Sequence, residues 1–181
     1  YRTGSCATTA AIRLARLHTQ QKLVLTSGYH GWHDWHLNMF PFFAMPDPNY
    51  IDFKYNLNYL EKLLKKNTGN VACVIITPDP NFFDDNYFVE LSVLCNKYAA
   101  ILIFDEVLSG FRYHLGGLYS KVGVQPDMIT ISKGLANGFS LSAVLGKKEI
   151  MMQRDNTHLV GTFHNEITPM VAALSTLSVI E

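Results

Sequence analysis

The sequence has 181 residues, which suits one domain or a large part of one, and its 48% hydrophobic residues are enough for a sizeable core. Lysine plus arginine and aspartate plus glutamate both number 15, so no overall charge points to nucleic acid or to an anionic membrane surface as a partner. Three widely spaced cysteines, with no signal peptide and no long apolar segment, favour a reducing, cytoplasmic location over a secreted or membrane protein. Because the chain starts without a methionine and ends in a predicted helix, we expect it to be a piece of something longer.

Predicted helices and strands alternate along the chain. The helices show apolar periodicity without internal breakers and cover residues 7–18, 57–66, 88–99 and 166–181. The strands are short, mostly β-branched apolar segments at residues 22–26, 71–77, 100–107, 127–132 and 141–146. The aromatic, proline-containing region 28–50 predicts an ordered loop. This alternation predicts an α/β domain with a mainly parallel sheet and helices on both faces.

Ligands of such sheets gather at the carboxyl ends of the strands, and two chemically active side chains are predicted to lie there. Asp105 stands where a buried strand runs out, although a strand-end aspartate also commonly caps a turn. Lys133 follows another strand, where a partly dry pocket would make it a nucleophile for carbonyls, although such a lysine can also be a surface residue.

A third segment, TGSCATTAA at residues 3–11, is a Gly-Ser turn that opens a helix. Free amide groups and the helix dipole make such a turn a seat for an anion such as phosphate, although serine and threonine cap helices in many proteins. A phosphate seat, a carboxylate and an amine together match the requirements of pyridoxal 5′-phosphate (PLP).

The motifs FDEVLSGFRY and TISKGLANGFSLSAVLG resemble those of the class III PLP-dependent aminotransferases of fold type I. TGSCATTAAIRLAR, GYHGWHDW and GTFHNEITPMVAAL are similar to that family's phosphate turn, ring-stacking loop and late phosphate-binding threonine. The YHG and GFRY forms are most similar to the glutamate-1-semialdehyde aminomutase branch. The resemblance implies that residues 1–181 are the PLP-binding large domain, without the family's N-terminal segment and small C-terminal domain.

The resemblance implies a role for each matching residue around the cofactor ring. Lys133 would be the Schiff-base lysine and would then move the proton, and Asp105 would pair with the protonated pyridine nitrogen. Val107 would press against one face of the ring, Tyr29 would stack on the other, and His30 would lie beside it.

The resemblance also implies how the cofactor phosphate is held. Ser5 and Cys6 would donate to it, with Gly4 allowing close approach. Thr162 would reach the phosphate of a neighbouring subunit, so the active site would be shared across a homodimer.

The sequence departs from the family pattern at three places. Cys6 stands where relatives commonly have an acidic residue, and Leu108 replaces a glutamine that several relatives hold near the ring hydroxyl. The segment IITPDPNFFDDN at 75–86 lacks the usual Glu-Pro and glycine-rich loop, whose glutamate in many relatives helps one site accommodate two substrates. The substrate therefore stays open.

The activity that the resemblance implies is amino-group transfer through a quinonoid and a ketimine, either between an amino donor and a carbonyl acceptor or within one molecule as in an aminomutase. A PLP-dependent decarboxylase or epimerase would share these residues, and a non-catalytic protein of the same fold is a further alternative. A metal site at His30, His33 and His36 is a weaker alternative, because helical spacing would spread these ligands apart.

The remaining candidates are interpreted as structural. Glu106 and Arg112 are expected to form a structural pair or solvated contacts rather than to bind substrate. A group of aromatic residues is expected to pack in the core or at the dimer contact. This group comprises Phe40, Phe42, Phe43, Tyr50 and Phe53.

Overall fold

The computed structural model describes residues 1–39 and 47–181, with the side chains of 37–39 excepted. Within these ranges the helices are α1 Gly4–Thr19, α2 Leu57–Lys66, α3 Asp85–Lys97, α4 Leu118–Lys121, α5 Lys148–Met151 and α6 Ile167–Ile180. The strands are β1 Leu23–Ser27, β2 Tyr50–Asp52, β3 Val71–Ile76, β4 Ile101–Glu106, β5 Met128–Ile131 and β6 Ala143–Gly146. Short 3₁₀ helices cover Asp34–Met39, Lys133–Leu135 and Met152–Asn156.

The strands of the described residues form one mixed sheet in the order β2-β1-β3-β4-β5-β6. All neighbouring pairs are parallel except β5 with β6, which is antiparallel. The carboxyl ends of β1, β3, β4 and β5 therefore meet at one edge of the sheet. The expected mainly parallel α/β sheet is confirmed.

Helices cover both faces of this sheet because alternate residues of each buried strand point to opposite sides. Ile75 and Ile103 pack in a core cluster with apolar residues of α1 between Ala11 and Ala15, and the same cluster includes Ile150 of α5. Their strand neighbours Val74, Ile76, Leu102 and Phe104 pack in a second cluster with apolar side chains of α2 and α3.

The three longer helices that precede β4 begin at side-chain caps that the sequence supplies. The side chains of Thr3, Asn56 and Asp84 accept hydrogen bonds from the amides of Cys6, Tyr59 and Tyr87, respectively. These bonds satisfy amides that have no partner inside the helix. The Asp84 cap also explains why α3 begins at Asp85, three residues before the predicted start.

The helix α1 likewise begins three residues before its predicted start, at Gly4, and the remaining differences from the sequence prediction concern short elements. β2 lies at the sheet edge and has only three residues, too few for a periodic pattern to show. The short helices α4 and α5 were likewise not predicted. Tyr50 and Phe53 are buried in the core as expected, while Phe40, Phe42 and Phe43 lie outside the described residues. No helix in the described part of the chain is long and apolar enough to cross a membrane.

Candidate active site

A cavity of about 330 Å³ opens at the carboxyl edge of the sheet. This volume lies within the usual range for small-molecule sites. Its walls come from the N-terminus of α1 and from the segments that follow β1, β3, β4 and β5. The lining residues are Gly4, Ser5, Thr8, Tyr29, His30, Gly31, Thr77, Asp105, Val107, Leu108, Ser132 and Lys133.

The Asp105 carboxylate is buried at the end of β4, and donors from three directions contact it. The Thr130 hydroxyl donates to Oδ1 over 2.8 Å, and the Val107 amide donates to the same oxygen over 3.2 Å. The His30 Nδ1 lies 2.7 Å from Oδ2. The Thr130 contact follows from the register, which pairs Asp105 with Thr130 on neighbouring strands. These contacts provide hydrogen-bond partners for a carboxyl group that is buried away from water.

Lys133 lies across the same cavity, two residues after the end of β5. Its side chain is exposed to the cavity opening, and its backbone is in the left-handed region at φ +36°. Residues other than glycine seldom adopt this conformation, and it is common at ligand sites. The cavity thus brings the predicted amine and the predicted carboxylate together.

The N-terminus of α1 forms the third part of the site. Gly4 and Ser5 occupy its first two positions, whose amides have no acceptor within the helix. Gly4 is required there because a Cβ would come within 2.7 Å of Val107 Cγ1. Cys6 does not line the cavity, and its amide donates to the Thr3 side chain over 3.2 Å.

The loop after β1 carries Tyr29 and His30 into the cavity wall, and hydroxyl groups of α1 hold it there. The Thr8 hydroxyl donates to the His30 carbonyl over 2.6 Å, and the Trp32 amide donates to Ser5 Oγ over 3.3 Å. Gly31 has φ +108°, and a Cβ at this position would collide with Ser5 Oγ. The loop therefore needs glycine where it crosses the helix N-terminus.

The three histidines of this loop are engaged with different protein partners. His30 contacts Asp105, and His33 Nδ1 lies 2.7 Å from Thr9 Oγ1. His36 is buried and contacts the Tyr50 hydroxyl through its own Nδ1. No group of three or more potential metal ligands forms a site among the described residues. The histidine geometry therefore gives the metal alternative no support.

The structure places the other predicted residues as follows. Val107 and Leu108 line the cavity, and Thr162 lies in an exposed turn outside its lining. Glu106 is buried and accepts hydrogen bonds from the amides of Leu118 (2.6 Å) and Tyr119 (3.0 Å). It therefore holds α4 through the backbone, and the exposed Arg112 forms no ion pair with it.

Several cavity residues could not be found from the sequence. Thr77 donates to the Tyr29 carbonyl over 3.0 Å, and the Ser132 hydroxyl donates to the Leu141 carbonyl over 2.7 Å. Thr8 carries the one usable signal, because it lies one helical turn after Ser5 and so shares its face. The roles of Thr77 and Thr130 depend on strand register, which the sequence does not specify.

Pyridoxal phosphate requires a seat for its phosphate, an acid at its pyridine nitrogen and an amine for its carbonyl carbon. The cavity holds a helix N-terminus with free amides, the buried Asp105 carboxylate and the Lys133 amine. The glycine at position 4 lets Val107 of the cavity wall pack directly against the helix N-terminus. The residues present therefore fit this cofactor.

Comparisons with known proteins agree with this geometry. The sequence profile described as aminotransferase class-III matches residues 1–181. The chain is 40% identical to 2'-deamino-2'-hydroxyneamine transaminase of Streptomyces kanamyceticus, over 100% of this chain and 47% of that protein. It is 35% identical to glutamate-1-semialdehyde 2,1-aminomutase of Geotalea daltonii, over 98% of this chain and 47% of that protein.

Among solved structures, the chain resembles the FumI protein of Sphingopyxis sp. MTA144, described as a PLP internal aldimine form. The TM-score is 0.88 at 27% identity, over 99% of this chain and 46% of that one. The chain thus spans about half the length of the proteins it matches. The resemblance inferred from the sequence motifs is confirmed: the chain belongs to the class-III aminotransferase family, whose enzymes depend on PLP.

Proposed function

We propose that this protein is a PLP-dependent enzyme that moves an amino group, either from an amino donor to a carbonyl acceptor or within one molecule. The observation that carries the proposal is the convergence of Lys133, Asp105 and the N-terminus of α1 on one cavity. Relatives described as a transaminase and an aminomutase support both forms of the reaction.

When bound, PLP supplies an electron sink for the charge left on a substrate carbon after a proton is removed. Asp105 would support that chemistry by pairing with the pyridine nitrogen, and its contacts with His30, Thr130 and Val107 hold the carboxyl group in place. A carboxylate at this position would favour the protonated ring.

Lys133 performs the two remaining chemical tasks. Its Nζ would hold the cofactor by a covalent bond to its carbonyl carbon, and a substrate amine would free the Nζ by taking its place. The freed Nζ would then serve as the base that takes a proton from the substrate and returns it at a nearby carbon. Lys133 and Asp105 line the same cavity, which supports a role for both in one reaction.

Three parts of the wall orient the flat cofactor. The free amides of Gly4 and Ser5 would hold the phosphate at the positive end of α1. Val107 and Tyr29 line the same cavity, where they would contact the ring. Cys6 contributes less to this seat than the sequence implied, because its amide already has a partner.

The test of this proposal is a half-reaction. The full-length protein, loaded with PLP, is mixed with a panel of primary amines while the visible band of the cofactor is followed. We expect the band to decay with at least one amine in wild type and in Lys66→Ala, an exposed lysine on α2, but not in Lys133→Ala. Decay in Lys133→Ala at the wild-type rate would contradict the proposal, as would carbon dioxide release without amino transfer.

We also propose that the enzyme is a homodimer and that Thr162 contacts the cofactor phosphate of the partner subunit. Thr162 is exposed and lies outside the cavity of its own chain. Large apolar side chains on the neighbouring α6 are exposed, Ile167 by 73% and Leu174 by 68%, which supports a protein contact on this side. Sedimentation of the full-length protein as a monomer would contradict the dimer.

The three cysteines support the further proposal of a cytoplasmic location. All are free, and Cys73 and Cys95 are fully buried. Burial raises the pKa of the Cys73 thiol to about 12, which suits an unreactive core residue in a reducing compartment.

A further inference from the structure

The loop that carries Tyr29 and His30 is conformationally permissive at both ends. Gly28 and Gly31 flank the pair with φ values of +104° and +108°. Glycine places little restriction on backbone rotation, so the direction of the His30 ring must be set by other contacts. This direction matters because His30 Nδ1 approaches Asp105 Oδ2 to 2.7 Å.

Three hydrogen bonds fix the backbone at this point. The Tyr29 carbonyl accepts from Thr77 over 3.0 Å, and the His30 carbonyl accepts from Thr8 over 2.6 Å. The His30 amide donates to Nε2 of His36 over 2.9 Å. Unlike the other two partners, His36 does not line the cavity.

The proton positions on His36 follow from its partners. Nε2 accepts the His30 amide proton, so the ring proton must be on Nδ1. The Tyr50 hydroxyl donates to Thr26 Oγ1 over 3.0 Å, which leaves the Tyr50 oxygen to accept from His36 Nδ1. His36 therefore donates to Tyr50, and Tyr50 donates to Thr26.

His36 is also held in a neutral state and packed behind the cavity wall. Burial lowers the pKa of His36 to about 3, with the nearby His30 acting in the same direction. Its ring lies edge-on to Tyr29 at 5.8 Å between centroids and 4.9 Å from His30. The residue is 1% exposed, so water cannot readily replace it as an acceptor for the His30 amide.

From this geometry we infer that His36 is a positioning residue for the cofactor site. Through its Nε2 it holds the His30 backbone, and thereby the His30 ring against Asp105 and the Tyr29 ring against the cavity. Tyr50 fixes the His36 tautomer that this task requires. The inference rests on the proposed function, because the atoms that His36 positions are those that would contact PLP.

The test compares His36→Leu, which removes the acceptor, with His36→Gln, whose amide oxygen can accept from the His30 amide. We expect His36→Leu to weaken PLP binding by about tenfold, because the His30 backbone loses its acceptor and leaves the geometry that contacts PLP, so that binding has to restore it. Its visible circular dichroism with bound PLP should also change, because the cofactor sits differently against Tyr29 and Asp105. His36→Gln should recover most of the affinity and the wild-type spectrum.

His33→Leu is the matched control, because it is the same substitution in the same loop. The His33 side chain contacts Thr9 and has no hydrogen bond to His30 or Asp105. This variant should leave the PLP affinity and spectrum unchanged even where it lowers the melting temperature. If His36→Leu does not fold, His36→Gln and Tyr50→Phe are compared with His33→Leu instead. Tyr50→Phe should then weaken PLP binding more than the control does.

The outcomes distinguish a failure of the proposed function from a failure of the positioning role. If wild-type protein binds no PLP, the proposed function fails, and with it any positioning role at that site. If wild type binds PLP and His36→Leu matches it in affinity and spectrum, only the role of His36 is overturned. That role is also overturned if His36→Gln is no better than His36→Leu, or if Tyr50→Phe binds PLP as well as the control does.

Discussion

At the scale of single residues, the site depends on how a buried carboxyl group is supplied with hydrogen-bond partners. Asp105 is 2% exposed, and a charge without partners at such a position would be costly to bury. The protein avoids this cost with three donors that reach two oxygens from the loop after β1, the segment after β4 and the neighbouring strand. The position of the carboxyl group is therefore set by contacts within the protein.

Replacing Asp105 with asparagine tests whether a charge on the carboxyl group is used. The amide keeps the size of the side chain but removes the charge that would hold a proton on the ring nitrogen. We expect the rate of amine-dependent decay of the cofactor band to fall by about a hundredfold or more. Asp155→Asn, an exposed control on the surface, should react like wild type. A rate within a few-fold of wild type for Asp105→Asn would show that its charge is not used.

At the scale of elements, α1 does more than present its N-terminus. Its hydroxyl side chains Ser5, Thr8 and Thr9 contact the loop after β1 at successive points. The contacts explain why three neutral polar residues lie on the loop-facing side of a helix that is otherwise rich in alanine. Ser5 and Thr8 thus join the helix to the loop at the cavity wall, while Thr9 contacts His33 and Trp35, which lie outside the cavity lining.

Glu106, at the end of β4, is joined to α4 by hydrogen bonds from the amides of Leu118 and Tyr119. This burial of a carboxyl group predicts that the stability of the protein depends on pH. Burial raises the pKa of Glu106, while its hydrogen bonds to Leu118, Tyr119 and Ser109 oppose that shift. A carboxyl group with a raised pKa in the folded state contributes most stability below its unfolded pKa, near 4.3, and this contribution is lost as the pH rises through the folded value.

We therefore expect the free energy of unfolding of wild type, minus that of Glu106→Gln, to decrease as the pH rises above about 4.3, by at most about 1.4 kcal/mol per pH unit. Denaturant titrations at a series of pH values measure this difference. Glu149→Gln, at an exposed position in α5, should show no such trend. A difference that increases with pH would mean that the folded protein prefers Glu106 ionised.

At the scale of the whole molecule, parallel strands bring residues from distant parts of the chain to one edge. The sequence located Asp105 and Lys133 because each follows an apolar strand whose end is easy to recognise. It could not locate Thr130 or Thr77, whose contacts depend on strand register. The positioning role of His36 could not be predicted from the sequence for a related reason. Its partner is the backbone amide of His30, which comes near only in the folded loop.

In the fold, too, the elements that could be predicted are those with a local sequence pattern. The helix α2 was predicted with its observed boundaries, Leu57–Lys66, whereas α1 and α3 were predicted to begin three residues later than they do. The three-residue β2 and the four-residue α4 and α5 were not predicted, because their formation depends on tertiary contacts rather than on local pattern. Helices on both faces of the sheet followed from the alternation of elements alone.

The central claim is that the cavity holds PLP through a covalent bond to Lys133, and reductive trapping tests it most directly. The full-length protein is incubated with PLP, reduced with borohydride, digested and mapped by mass spectrometry. We expect one major phosphopyridoxyl modification, on Lys133, and its loss in Lys133→Ala. A modification spread over exposed lysines such as Lys66, or one that persists at wild-type level in Lys133→Ala, would contradict the claim.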